Sequence, residues 1–364
     1  MAHSEPAPAL LESAALAVDN AGDGLAQSLL DATWLSCASA AAAGEQRQPC
    51  TRIFVGEPRG IHLFEQGAEG LSLLATEKSR FVERYSCGSL DGVLLTVEGA
   101  LGAALQLRRW ALSDEGSLRS QVVDLPDGWQ LAASGGQPCM LSDTDRSVAV
   151  LLRDNAVGFV SLGEPLEKRL RFAMPEGMRL APEPRWGVSD AQWALNLVDD
   201  SGTWRMLWQR DESLLRELAR LQLSAELRMV LPGDSDGTWW TLERQAGIHA
   251  WWRWESGTEP RRVADASCGD ELELPWLQQG LEVDAWRRPI GSKQALLMTA
   301  RQGGLTGVRE AALLVFDEGG CAQRVWSESE LRAVSWSCDG QECAVVWLNL
   351  SGMQLWRGRL GEGL

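Results

Sequence analysis

The sequence predicts an all-β protein, and three observations lead to that prediction. Short apolar segments with imperfect alternation run along the chain, and turns rich in Ser, Asp and Gly separate them. A unit of strand, turn and strand recurs at intervals of about 40 to 60 residues. Each unit would form a small sheet that is apolar on both faces and must stack on its neighbours. Together these features are typical of a β-propeller, in which the sheets are arranged radially.

The last unit shows the pattern most clearly. Ser337–Gly340 opens it, a strand follows over 341–350, and Ser351-Gly352 turns the chain into a final strand. Glycine suits these turns because tight hairpins need residues with positive φ. The second-turn glycines mark seven such units: Gly60, Gly102, Gly158, Gly202, Gly247, Gly304 and Gly352.

We therefore expect residues 1–364 to form a single propeller of seven blades with about four antiparallel strands each; six or eight blades remain open. Residues 1–8 are expected to form a loose N-terminus. The last unit runs out of chain after Leu360, so we expect residues 8–18 to supply its outer strand and close the ring. Segment 211–228 is either a helix or an outer strand on the rim. A pair of β-sandwiches is the rival architecture.

Charge and composition exclude several classes. The net charge of −16 argues against direct nucleic-acid binding and against anionic membrane surfaces. No apolar run approaches the roughly 20 residues of a membrane-spanning helix, and no basic residue precedes the first apolar stretch, as a secretory signal would require. The eight cysteines show no CxxC spacing, which predicts reduced thiols and a cytoplasmic location, with the nucleus left open.

The segment VSWSCDGQECAVVWLNLSGMQLW (334–356) resembles the repeats of the WD40-like β-propeller superfamily. The resemblance covers essentially the whole chain, and this sequence lacks the Gly-His and Trp-Asp dipeptides of that family. The family's structural tetrad of His, Ser/Thr, Asp and Trp is therefore not carried over to this chain. The resemblance implies a binding platform that is usually one subunit of a larger assembly.

Side chains for catalysis are scarce. The three histidines are His3, His62 and His249; the last two follow Gly60 and Gly247 by two residues each and could be metal ligands or bases, or residues of a third strand that pack against a neighbouring sheet. No GxSxG motif and no phosphate-binding glycine loop occurs. We therefore expect no enzymatic activity, no catalytic residues, no metal and no cofactor.

The 18 tryptophans mostly fall on predicted second and third strands, where they would pack between sheets. Some could instead form a binding face. Segment 249–257 places three Trp and one Arg within four residues, so strand alternation must send at least one Trp to each face. Segment 274–292 adds more near an expected loop mouth. The candidate partner-binding residues are Trp251, Trp252, Arg253, Trp254, Trp276, Trp286, Arg287 and Arg288.

These observations favour a non-enzymatic scaffold that binds other proteins through its loop faces within a multiprotein assembly. A carbohydrate-binding propeller is the alternative, and it would carry equivalent exposed Trp residues in several blades. A metal-dependent propeller hydrolase is the third hypothesis, and it would need polar ligands converging on the central axis.

Overall fold

The structure is a computed structural model in which residues 32, 34–38, 49–57, 60–67, 70–78, 83–90, 92–99, 104–125, 127–131, 139–141, 147–153, 156–161, 171–180, 186–188, 192–211, 214–224, 227–232, 237–245, 248–262, 282–290, 293–301, 310–316 and 322–360 are described. These residues form strands and turns, and the fold is all-β. Within them, no helix is long and apolar enough to cross a membrane.

The described strands assemble into seven antiparallel sheets, numbered here in chain order. Sheet 1 has the strand order β1 (Trp34–Ala38), β2 (Arg52–Glu57), β3 (Gly60–Gly67) and β4 (Gly70–Lys78). Sheet 2 contains β5 (Glu83–Leu90), β6 (Val93–Gly99), β7 (Gln106–Leu112) and β8 (Leu118–Val122). Sheet 3 contains β9 (Gln130–Leu131), β10 (Cys139–Leu141), β11 (Ser147–Arg153), β12 (Ala156–Ser161) and β13 (Arg171–Ala173).

Sheet 4 contains β14 (Arg179–Leu180), β15 (Trp186–Val188), β16 (Gln192–Asp199), β17 (Gly202–Asp211) and β18 (Leu214–Gln222). Sheet 5 contains β19 (Leu227–Pro232), β20 (Thr238–Gln245), β21 (Ile248–Glu255) and β22 (Arg261–Arg262). Sheet 6 contains β23 (Glu282–Ile290), β24 (Lys293–Arg301), β25 (Glu310–Phe316) and β26 (Ala322–Ser329). Sheet 7 contains β27 (Ala333–Asp339), β28 (Glu342–Asn349) and β29 (Gly352–Arg359).

The turn pattern of the sequence is reproduced in most units whose turns are described. Gly340, at φ 57°, turns β27 into β28, and Gly352, at φ 112°, begins β29. The third unit differs, because Gly158 lies inside β12 and the hairpin closes earlier, where Arg153 pairs with Ala156. Because valines alternate with other residues around Gly158, the sequence pattern does not show that the chain turns before this glycine.

Two expectations concern the outer strands of the sheets. Segment 211–228 contains β18, the outer strand of sheet 4, so the strand alternative holds and the helix alternative is wrong. The leucine spacing in this segment departs from the strict alternation of a regular strand, which is why it suggested a helix. A register shift in the β17–β18 ladder, between Leu207 and Trp208, accounts for the departure. Residues 8–18, expected to complete sheet 7, lie outside the described residues.

The core lies between the sheets and not at the centre of any one of them. One buried cluster joins Phe54 and Leu63 of sheet 1 to Leu94 and Trp110 of sheet 2. Comparable clusters join sheets 2 and 3, sheets 4 and 5, and sheets 6 and 7. Small sheets that are covered on both faces by other sheets are consistent with propeller blades.

The first and last sheets also pack against each other. A buried cluster contains Val55 and Phe64 of sheet 1 together with Val346 and Met353 of sheet 7. The Cys37 backbone N–H donates to Ser335 Oγ at 3.0 Å. The Arg357 guanidinium of sheet 7 donates to Pro49 O at 3.0 Å and to Gln66 Oε1. We call this contact the sheet 1–sheet 7 seam.

The prediction of reduced thiols is wrong for the described cysteines. Cys37 is bonded to Cys50, Cys338 is bonded to Cys343, and Cys87 also takes part in a disulfide. Cys338 and Cys343 face each other in register across the β27–β28 hairpin, which brings their side chains together. The sequence carried a signal for this bridge, because Cys338 and Cys343 lie close together on either side of the Asp339–Glu342 turn.

Candidate functional site

The tryptophans of sheet 5 point to opposite faces of the sheet, as alternation predicts. On one face, Trp240 packs edge-on against Phe316 of sheet 6, with ring centroids 5.3 Å apart and planes at 70°. On the other face, Trp239 and Trp254 pair across the two strands, with centroids 5.9 Å apart and planes within 7°. Trp239 also packs against the cluster shared with sheet 4. These indoles therefore fill the spaces between sheets.

The candidate binding residues of β21 differ in accessibility. Trp251 is 1% exposed and belongs to the core, so it is not available to a partner. Trp252 and Trp254 are half-buried. Arg253 is exposed, and its side chain makes no hydrogen bond or ion pair with the residues that the structure describes. An exposed turn over 256–259 follows, held by a 2.8 Å bond from Ser256 N to Gly237 O.

The second group of candidates lies elsewhere. Trp276 is outside the described residues. Trp286, Arg287 and Arg288 lie within β23, the first strand of sheet 6, where they pair with Leu297, Leu296 and Ala295. They were predicted near a loop mouth, and they lie in the second half of β23, which ends at Ile290. The two groups are therefore on separate sheets and do not belong to one continuous loop.

A repeated polar network lies inside sheets 2 and 5. In sheet 2, Trp110 Nε1 donates to Thr96 Oγ1 at 3.0 Å, and that hydroxyl donates to Glu98 Oε1 at 3.0 Å. Glu98 is fully buried, and Arg108 Nε lies 3.5 Å from its other oxygen. A buried carboxylate is tolerated only when such donors surround it.

Sheet 5 repeats the same arrangement. Trp254 Nε1 donates to Thr241 Oγ1 at 2.8 Å, and the hydroxyl donates to Glu243 Oε1 at 2.7 Å. In both sheets the Thr and Glu occupy alternate positions of the second strand, and the Trp lies on the third strand. The Thr-x-Glu spacing at 96–98 and 241–243 is the sequence signal that could have revealed the two networks.

His62 lies on the third strand of sheet 1, 4% exposed, between a carboxylate and a hydroxyl. Its Nε2 is 3.1 Å from Glu57 Oε1, and its Nδ1 is 3.0 Å from Thr76 Oγ1. The third-strand position agrees with one of the two alternatives drawn from the sequence. The strand position of His249, on β21, also agrees. Within the described ranges, no group of three His, Cys, Asp or Glu side chains could hold a metal ion.

No protein-family model and no curated protein matches this sequence. Solved structures do resemble it. An oligogalacturonate lyase from Vibrio parahaemolyticus is similar over 73% of this chain and 74% of its own, with 13% identity and a TM-score of 0.41. A putative 6-phosphogluconolactonase from Bacteroides fragilis is similar over 82% and 84%, with 12% identity and a TM-score of 0.42.

The tricorn protease is similar over 99% of this chain and 36% of its own length, with 9% identity and a TM-score of 0.48. At these identities the similarity concerns the fold alone.

Proposed function

We propose that this protein is a binding platform for other proteins, and that Arg253 at the end of β21 is a principal contact. The observation that carries the proposal is an exposed guanidinium that has no side-chain partner among the described residues. The half-buried indoles of Trp252 and Trp254 flank Arg253 along β21 and lie on the opposite face of the sheet. Arg and Trp are enriched among the residues that dominate binding energy in protein interfaces. We call Trp252, Arg253, Trp254 and the turn 256–259 the sheet 5 rim.

The distribution of the tryptophans supports a protein partner over a carbohydrate. A sugar-binding propeller would expose equivalent indoles in several sheets. Among the tryptophans whose side chains the structure describes, each is buried or half-buried. Of the tryptophans with described side chains, three half-buried ones lie in sheet 5 (Trp239, Trp252 and Trp254), and one each lies in sheet 1 (Trp34) and sheet 4 (Trp204). This asymmetry is what we expect of a surface that recognises one kind of partner.

We propose further that the sheets form a closed ring of seven blades. Contacts between successive sheets, together with the sheet 1–sheet 7 seam, support this arrangement. Residues 8–18 would add the outer strand that sheet 7 lacks among the described residues. The expected absence of nucleic-acid and membrane partners stays a prediction. The expected absence of enzymatic activity is untested, and the site on sheet 1 described below argues against it.

The disulfides bear on location. The cytoplasmic location remains an untested prediction, whereas structural disulfides persist in oxidising compartments and are rare in a reducing cytosol. The described cysteines on sheets 1, 2 and 7 are all disulfide-bonded. We therefore propose that the mature protein resides in an oxidising environment.

Affinity capture from the native lysate tests the platform. The bait would be the tagged full chain, with Arg253→Ala as the variant and Arg216→Ala as the matched control, because Arg216 is an exposed arginine on the outer strand of sheet 4. We expect the wild type and Arg216→Ala to recover the same proteins in stoichiometric amounts, and Arg253→Ala to lose them. Equal recovery by all three baits, or recovery of nothing, would contradict the proposal.

A further inference from the structure

Thr76, His62 and Glu57 form a linear chain of hydrogen bonds on one face of sheet 1. Thr76 lies directly opposite His62 in the β3–β4 ladder, and its Oγ1 is 3.0 Å from the imidazole Nδ1. Glu57 ends β2 and reaches the other ring nitrogen at 3.1 Å. His62 is buried and Glu57 nearly so, whereas Thr76 is exposed. Thr76 is therefore the one residue of the three that is exposed to solvent.

The carboxylate fixes the direction of one of these bonds. An ionised carboxylate can only accept, so Nε2 carries the hydrogen that is donated to Glu57. In the neutral imidazole, Nδ1 then holds a lone pair and accepts the hydrogen of Thr76 Oγ1. A hydroxyl that donates to an imidazole oriented by a carboxylate is the arrangement that activates nucleophilic hydroxyls on several unrelated folds.

Gly60 makes this arrangement possible. A Cβ at this position would lie 3.2 Å from Glu57 Oε1 and 2.8 Å from the Glu77 carbonyl oxygen. The Glu57 side chain thus occupies the space that a side chain at position 60 would need. The exposed Lys78 pairs with Gly60 in the ladder, which puts it on the same face as Thr76.

The polar networks of sheets 2 and 5 provide a contrast. There the threonine lies on the second strand, is almost fully buried and donates directly to its carboxylate. No substrate could reach such a hydroxyl. In sheet 1 a histidine stands between the carboxylate and the threonine, and the threonine is moved to the outer strand.

We propose that Thr76 is a nucleophile, with His62 as its general base and Glu57 as the positioning residue, and that it takes acyl groups from esters. Thr76 Oγ1 attacks the carbonyl carbon while its proton passes to His62 Nδ1. The ester C–O bond breaks, the leaving oxygen takes that proton, and an acyl-Thr76 ester and an alcohol result. Water then attacks the acyl carbon through the same base, which releases a carboxylic acid and restores Thr76. The Lys78 ammonium favours acyl groups that carry negative charge.

The probe is p-nitrophenyl acetate, added to the purified full chain. We expect a burst of about one p-nitrophenolate per chain and an acetyl group that peptide mass spectrometry locates on Thr76. Thr76→Ser should keep the burst, and Thr76→Val should abolish it. His62→Gln should slow acylation by about 100-fold or more. Glu57→Gln should lower the acylation rate at saturating ester without changing the half-saturating concentration, as a positioning role requires.

Ser72→Ala is the matched control, because Ser72 is an exposed hydroxyl on the same strand that donates to the Glu65 carbonyl and has no imidazole partner. It should leave the burst unchanged. Circular dichroism would establish that each variant is folded. A folded Thr76→Val protein with the wild-type burst, or acetyl groups found on lysines alone, would overturn the proposal. Because this site is on sheet 1, its failure would leave the sheet 5 rim untouched.

Discussion

Individual hydroxyl groups differ in what they contribute to this fold. Thr96 accepts from Trp110 and donates to the buried Glu98. Thr299 is equally buried, but its hydroxyl has no hydrogen-bond partner among the described residues. We predict that Thr96→Val lowers the free energy of unfolding by about 1–3 kcal/mol, because it leaves both partners less satisfied. Thr299→Val, the control, should be neutral or stabilising. Urea denaturation measures both, and equal losses would contradict the network.

Asp199 gives the fold a pH-dependent turn. Its Oδ1 accepts from Ser201 Oγ at 2.6 Å and from the backbone N–H groups of Ser201 and Gly202. The Ser201 hydroxyl, more than any other donor, holds the pKa of Asp199 below its ordinary value. Because the folded pKa is depressed, the turn is stabilised above the ordinary pKa of the carboxyl and loses that stabilisation as pH falls through the folded value.

Amide hydrogen exchange tests this turn. Protection of the Ser201 amide should fall in acid below about pH 4, after correction for intrinsic exchange, and Asp199→Asn should remove the pH dependence. The chain contains its own control, because Asn349 accepts from the Ser351 amide in the corresponding turn of sheet 7 and does not titrate. Parallel pH profiles for the two amides would contradict the assignment.

For individual residues, the sequence predicted which face of a strand they occupy, and it did not predict their burial or their partners. Trp251 and Arg253 were predicted together, yet one is core and the other exposed, because alternation fixes only which face a residue lies on. How far the neighbouring sheet covers that face depends on packing between sheets. The partnership of Glu57, His62 and Thr76 was invisible for a related reason: Thr76 meets His62 only through the register of the β3–β4 ladder.

Hairpins are the elements that the sequence predicted best. The last unit was predicted as a strand over 341–350 and a final strand after Ser351-Gly352, and β28 and β29 follow this prediction closely. Turn residues explain this success, since Asp339-Gly340 and Ser351-Gly352 determine local geometry without help from the rest of the chain. By contrast, β1 was missed, because its sequence WLSCA is short and rich in small residues. Its strand state depends on pairing with β2 and on contact with sheets 2 and 7.

One disulfide joins β1 to the turn before β2 in sheet 1, and another joins the first strand to the second strand in sheet 7. Cys37–Cys50 closes a loop with a sequence separation of 13 residues in sheet 1, and Cys338–Cys343 closes a hairpin in sheet 7. We predict that breaking the first with Cys37→Ser and Cys50→Ser lowers the free energy of unfolding by about 2–4 kcal/mol. The shorter loop of the second predicts a smaller loss. Non-reducing peptide mapping should find both bridges, and free alkylated thiols at these four positions would contradict the structure.

For the molecule as a whole, the contact between the first and last sheets decides whether the sheets act as one unit. Arg357 is half-buried at the sheet 1–sheet 7 seam, and burial lowers its pKa from the ordinary value. It donates to the Pro49 carbonyl and to Gln66 on the other side. We predict that Arg357→Met, which keeps the apolar stem, lowers the free energy of unfolding by about 1.5–3 kcal/mol. Arg216→Met, at an exposed site, should change it little, and equal effects would argue against a closed seam.

The overall architecture could be predicted because a whole unit of strands and turns recurs along the sequence. An interval of about 40 to 60 residues survives even where single turns are misplaced, as with Gly158. What could not be predicted depends on contacts between units: the pairing of the cysteines, the burial of Trp251, and the seam formed by residues about 300 positions apart.

The most direct test of the central claim is the affinity of a captured partner for the purified protein. The partner would be titrated against the wild type, Arg253→Ala and Arg216→Ala by isothermal calorimetry. Binding through the sheet 5 rim predicts that Arg253→Ala raises Kd by about tenfold or more, while Arg216→Ala leaves it unchanged. The same Kd for all three proteins would contradict the claim and place the binding surface elsewhere on the molecule.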